Sequence, residues 1–449
     1  MVKRKPTTPF INPYNFVRYN TNPSHIAAQR QVPVSGHDKF SGYSGRLTCE
    51  ISTLRRIFVA GSQTNRTNFK FQRINGLPGI QGSSIKGVIR SVAEAISSAC
   101  FSMISKNYEY EYHASNTKPS ATSSAGISYQ ILPKKQKNGS HATTSRGVLR
   151  WNIEFQHFSK PSSVTLLDGT LTHYACVLDK PNNNGLCICC RMFGSSTASD
   201  EVQAFGGKVC FNDAVIGFYN QQQDFIAHNR DTFRNNQSSI THTAYKNSQT
   251  AINPKPHHES FYLENVHIRG RKFYYHQQSD CLVDSGEISL EVVQPNTLFQ
   301  FTIDYSNLSE VELGLLCLAL QLEWDEANNT GTAHKIGQGK PIGLGSAGIK
   351  IKKIEEAFST GNRYKRIQSI AAITDESQIQ SKVQGWINAL KADPNSFYKQ
   401  GWDDLKDILH YPPYNYPIEY PDQAWFRNNR GSQLPQPDHV RTGTRMLLK

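Results

Sequence analysis

Two stretches of the chain carry a clear helical period. In PGIQGSSIKGVIR, residues 78–90, and the residues after it, apolar side chains fall at Ile85, Val88, Ile89, Val92 and Ile96, the spacing of one helix face. Ser83 or Ser84 stands where an N-cap would accept bonds from the first free N–H groups, and Gly79 and Gly82 permit the preceding turn. The second stretch is SEVELGLLCLALQL, residues 309–322, where Ser309 and Glu312 form a capping-box pattern and Leu315, Leu318, Ala319 and Leu322 give the apolar stripe. Further helices are expected near 378–390 and 403–409.

A period of two marks the strands. SGRLTCEISTLRRIFV, residues 44–59, places Leu47, Cys49 and Ile51 on one face; LFQFTIDY, residues 298–305, alternates likewise; and Ile349 and Ile351 alternate with Lys350 and Lys352. Shorter strand-like runs lie near 149–155, 171–178 and 208–211. Strand, helix, strands, strand, helix, strand predicts an α+β fold with a ferredoxin-like (RRM-like) βαββαβ core. That core spans 37–356, with polar insertions near 106–145 and 219–280. Before it, residues 1–36 read as an extended N-terminal arm, rich in proline and docked by Tyr14, Phe16 and Tyr19. After it, residues 357–449 form a helical extension that ends in the proline- and tyrosine-rich YPPYNYPIEYPDQAW, residues 411–425.

Composition narrows the partners. Over 449 residues, 49 Lys and Arg against 36 Asp and Glu leave a formal charge of +13, which favours polyanions: nucleic acid first, an anionic membrane surface second. No window approaches the roughly 18 apolar residues of a membrane span, and the start MVKRKPTTPF lacks the apolar run of a signal peptide. A soluble cytoplasmic protein with no membrane partner is therefore expected. Its nine cysteines are then reduced thiols, not disulfides.

Charge and period together single out an anion site. The start of the helix after residue 82 offers free N–H groups and a positive dipole end, with Lys86 and Arg90 one turn apart beside it. A capped helix with solvated cations is the plainer alternative. A second site is the glycine-rich HKIGQGKPIGLGSAGIKIKKI, residues 334–354. There Gly337, Gly339, Gly343 and Gly345 would let backbone N–H groups approach phosphates beside Lys335 and Lys340. Its GLGSAG matches the dinucleotide fingerprint in letters only, because a strand follows where that fingerprint needs a helix. RGRKFYYH, residues 269–276, sets Arg269, Arg271 and Lys272 among stackable rings, as single-stranded RNA contacts require.

The remaining chemistry is thinner. Cys176, Cys187, Cys189, Cys190 and Cys210 could offer thiolates to zinc, but CxCC has no standard ligand spacing, so buried apolar cysteines are expected and no metal is assigned. His257 and His258 lack ligand spacing. His37 and Asp38 are adjacent, which suits an acid/base pair less well than a turn.

Several of these stretches, in this order, resemble a RAMP-superfamily CRISPR-associated protein, a backbone-type subunit of a type III effector complex. PGIQGSSIKGVIR is similar to that family's PGSSLKGxxR. CRMFGSS (190–196), GGKVCFNDA (206–214), IGQGKPIGLGS (336–346), NPYNFV (12–17), RGRKFYYH and NLSEVELGLL (307–316) also resemble it. The resemblance implies a modified RRM-like fold, assembly beside other RAMP subunits and the large signature subunit, and a grip on guide CRISPR RNA paired with target RNA. It places Ser83, Ser84, Lys86, Arg90 and the glycines of 337–345 near the RNA backbone and implies no cofactor. Target-cutting members resemble one another in an aspartate between the first strand and the opening helix; residues 61–76 contain no Asp or Glu. No catalytic residue is assigned, and a guide-RNA-binding subunit is expected. The rival readings are an endoribonuclease that cuts target RNA or matures the guide, and a protein-interaction module built on the insertions and tail.

Overall fold

The structure, a computed structural model, describes residues 13–35, 40–63, 67–100, 184–195, 204–216, 270–280, 288–357 and 371–419. It also describes a few single positions, Cys176 among them, and short strands within 101–171 and 240–283. His37, Asp38, His257, His258, Arg269 and most of both expected insertions lie outside the described residues.

The chain builds a mixed α+β structure around a large antiparallel sheet. Its central strands are Tyr43–Thr53 and Leu298–Leu308, antiparallel over most of their length, with Leu47 opposite Ile303 and Ile51 opposite Phe299. Ser346–Ala357 pairs with the free side of the first. Val209–Phe211 and Ala214–Val215 pair with the free side of the second, and Leu77–Ile80 continues the sheet beyond them.

The predicted alternation is realised. Leu47, Cys49, Ile51, Phe299, Phe301, Ile303, Ile349 and Ile351 point to one side and are fully or almost fully buried. Against that side pack the opening helix Gly82–Ile96, through Ile85, Ile89 and Val92, and the second core helix Glu310–Gln321. The predicted capping box is present in both halves: Ser309 Oγ accepts from Glu312 N–H at 3.2 Å, and Glu312 accepts from Ser309 N–H at 3.0 Å. This second helix is apolar all round because a further helix, Glu376–Ala392, covers it with Ile379, Val383, Trp386 and Leu390. The helix Lys399–Ile408 closes the far end of the opening helix, where Tyr398 N–H donates to Ile96 O at 2.8 Å.

The N-terminal arm is more structured than its prolines predict. Tyr14–Val17 is a strand paired with Arg271–Tyr274, and Pro23–Gln31 is a helix capped by Asn22, with proline at its first position where no N–H is needed. Tyr14, Phe16 and Tyr19 are buried, as the docking reading expects. No helix among the described residues is long and apolar enough to cross a membrane.

Candidate nucleic-acid interface

The sheet face away from the helices is not a binding platform. It carries Arg46, Glu50, Thr302, Asp304, Lys350 and Lys352, and its cations are paired: Arg46 with Asp304 at 2.6 Å, Lys352 with Glu326 at 2.9 Å, and Lys350 with Glu326 and Glu376.

At the head of the opening helix the expectation needs correcting. The helix begins at Gly82, so its N-cap position is Gln81, which makes no side-chain cap; Ser83 and Ser84 lie exposed inside the first turn. The Gly82 N–H is taken by the Asp213 carboxylate at 2.7 Å. An acid therefore stands where a phosphate was expected, beside an open groove of about 490 Å³ that Asn75, Asn212 and Asp213 help to line. Gly82 itself is obligatory there, because a Cβ would lie 2.1 Å from Phe211 O.

The cations on that helix divide. Lys86 is half-buried, and burial, with Arg90 nearby, lowers its pKa. Burial would also lower the pKa of Arg90, but Glu94 at 2.9 Å outweighs it and holds the guanidinium charged. Arg271 is buried, binding Glu94 at 2.7 Å and the carbonyls of Ala99 and Cys100 at 2.9 and 2.7 Å. It is a structural arginine with no face toward a ligand. Lys272 lies 3.9 Å from the centre of the Tyr14 ring, where burial pushes its pKa down to about 8.

The glycine turn is built as its residues suggest, but its donors are spent differently. Gly337, Gly339, Gly343 and Gly345 all have positive φ, between +72° and +95°, around a short 3-10 turn at Lys340–Ile342. The turn packs on the end of the first core strand: Gln338 N–H donates to Phe58 O at 2.8 Å and Gly345 N–H to Arg56 O at 2.9 Å. The N–H groups of Ile342, Gly343 and Leu344 are used within the turn. Lys335, expected to face phosphate, is buried and donates to Gly343 O and Leu344 O at 3.3 and 3.0 Å. Desolvation, with repulsion from Lys340 and Arg55, lowers its pKa to about 7. Lys335 staples the turn from inside.

Beside the turn lie two arginines that the sequence reading did not single out. Arg55 and Arg56 lie just past the end of the first core strand, after Leu54, and both are half-buried beside the turn. Arg55 Nε is buried without a hydrogen-bond partner. Arg56 lies 3.5 Å from Asp280. Lys340, also half-buried, has its pKa lowered to about 8 by its surroundings. The signal was present as the doublet in STLRRIFV, but it reads equally well as strand continuation. A buried guanidinium Nε–H without a protein partner is costly unless water or a ligand completes it.

The stretches that carried the family resemblance meet in space. NPYNFV pairs with RGRKFYYH; His276 of the latter lies 2.7 Å from Ser346 at the end of the glycine turn; and Gln277 donates to Pro341 O at 2.9 Å. CRMFGSS reaches the opening helix through Arg90 and Gly194 O at 3.3 Å, and GGKVCFNDA reaches it through Asp213. The helix head and the glycine turn nevertheless belong to different corners. Both central strands lie between the strand entered by the turn and the hairpin that holds Asp213, a separation of about 14 Å at ordinary strand spacing. The two do not share one phosphate-sized pocket. No protein-family model matches the chain, and no curated protein matches it significantly.

Proposed function

We propose that this protein is a guide-RNA-binding structural subunit of a type III, RAMP-type CRISPR interference complex, gripping the backbone of the RNA while base pairing selects the target. The observation that carries the reading is the corner made by Arg55, Arg56 and Lys340 around four positive-φ glycines, with the Arg55 Nε left unpaired. Among the described residues these three cations have Asp280 as the acid beside them, 3.5 Å from Arg56, a balance that suits a polyanion better than a small neutral ligand.

A ferredoxin-like core is the finer fold reading. It is supported by the strand order Ser346–Ala357, Tyr43–Thr53, Leu298–Leu308, Val209–Val215, all antiparallel, with the helix Gly82–Ile96 in the first crossover and Glu310–Gln321 in the second. The spatial meeting of the motif stretches supports the family reading in the same way. Partners on this reading are guide and target RNA, sibling subunits and the large signature subunit, in the cytoplasm.

The test is to purify the full chain from its native host, sequence the RNA that travels with it, and titrate the purified chain with labelled single-stranded RNA across salt. Repeat-derived guide RNA and a steep salt dependence are expected; RNA-free protein, or binding indifferent to salt, would overturn the proposal. A ribonuclease reading has one observation in its favour. Asp213 brings an acid from another segment to the groove lined by Ile74 and Asn75, at the end of the acid-free stretch 61–76.

A further inference from the structure

Four cysteines from three separated parts of the chain converge sulfur to sulfur. Cys100 follows the opening helix, Cys176 stands alone in sequence, and Cys187 and Cys190 lie at the start of the short helix Ile188–Phe193. All four are buried, and their Sγ atoms lie within 4.8 Å of one another. Cys100 and Cys190 are 3.5 Å apart, Cys100 and Cys187 3.7 Å. A disulfide needs about 2.05 Å, so these pairs are not bonded. Four thiolates at about 2.3 Å from a central zinc form a tetrahedron with edges of about 3.8 Å. The observed separations fit that figure.

We infer that Cys100, Cys176, Cys187 and Cys190 bind one zinc ion as a closed tetrathiolate site. The expectation from sequence was of apolar cysteines and no metal, and the structure re-sorts them. Within CICC, the pair Cys187 and Cys190 is a CxxC; Cys189 turns away to Ser97 Oγ at 3.4 Å, and Cys210 is exposed on a strand elsewhere. Cys100, which no local pattern marked, supplies the fourth sulfur.

The surroundings suit a charged cluster. Cys187 N–H donates to Cys176 Sγ at 3.2 Å, and Arg30 Nε donates to the same sulfur at 3.3 Å. Arg271 holds the Cys100 carbonyl at 2.7 Å. Two guanidinium groups thus flank a centre that carries two net negative charges when four thiolates hold a dipositive ion, and the N–H donors fix the ligand orientations. Soft sulfur donors select zinc over magnesium or calcium, and four protein ligands leave no open position for chemistry. The role is structural. The ion joins Cys100 and Cys176 to the helix Ile188–Phe193, whose end sets the Gly194 carbonyl 3.3 Å from Arg90, so this inference stands whether or not the chain binds RNA.

Elemental analysis of the purified full-length chain decides it. One zinc per chain is expected, and cobalt in its place should give the intense charge-transfer and d–d bands of a tetrahedral tetrathiolate. Cys100→Ser and Cys190→Ser, each removing a ligand outright, should lower zinc affinity by more than the roughly 10–100-fold that loss of an outer-shell partner costs, while Cys189→Ser and Cys210→Ser leave it unchanged. Folded wild-type protein without stoichiometric metal would overturn the inference, as would iron in place of zinc, or loss of metal in Cys189→Ser with retention in Cys190→Ser. Wild-type stoichiometry and the cobalt spectrum do not depend on any variant folding.

Discussion

Glu94 serves two arginines at once: one carboxylate oxygen lies 2.9 Å from Arg90 Nε and the other 2.7 Å from Arg271 Nη1. The opening helix is thereby tied to the strand that holds the N-terminal arm. Removing the carboxylate leaves the Arg271 guanidinium buried without its counter-ion, so Glu94→Ala should cost about 3–5 kcal/mol, read as a lower urea midpoint. Arg90→Ala should cost about 1 kcal/mol or less, because its side chain is 25% exposed. Equal losses in the two variants would refute this division of labour.

Arg55→Ala and Lys340→Ala should each weaken RNA binding and flatten the dependence of log K on log salt by about 0.7 per lost phosphate contact. Circular dichroism should be unchanged. Slopes identical to wild type would remove the glycine-turn corner from the interface.

Asp213 caps the helix that was expected to hold a phosphate. Asp213→Ala should destabilise the fold by about 1 kcal/mol and leave RNA retention intact, with no change in target-RNA cleavage by the assembled complex. Cleavage abolished at full RNA occupancy would make Asp213 catalytic and favour the ribonuclease reading.

Two fully buried histidines set the acid limit. His334 contacts Leu320 O at 2.8 Å, and His276 contacts Ala333 O at 3.1 Å and Ser346 Oγ at 2.7 Å. Burial lowers His334 to a pKa of about 4 and His276 well below its ordinary value of 6.5. The unfolded chain takes up protons below about pH 6.5 while the folded chain refuses them, so stability falls as pH drops from there toward 4. For His334 alone the loss is of the order of 3 kcal/mol across the window. Urea midpoints measured at steps of pH should show the fall, and His334→Gln should reduce it; a flat profile between pH 6.5 and 4 would contradict the burial.

Local patterns were readable where local physics decides. Leu47, Cys49 and Ile51 announced a strand because alternation is a backbone property, and Ser309 with Glu312 announced a helix start because both partners lie within one turn. The cap at Gly82 was misassigned to the serines because its true partner, Asp213, arrives from a distant hairpin. The loss of Arg271 and Lys335 as ligands has the same origin: charge is visible in the sequence, but its counter-ions and carbonyl partners are assembled only by folding. The thiol cluster was hidden twice, by Cys189 interrupting the eye inside CICC and by Cys100 lying far upstream.

The second core helix meets its covering helix backbone to backbone, since a Cβ on Gly314 would lie 2.1 Å from Trp386 O. A chain cut after the last long strand would present a naked greasy cylinder to water. What reads in sequence as a trailing appendage is the roof of the building, and shortened versions of this protein should clump in the cell before any question of binding arises.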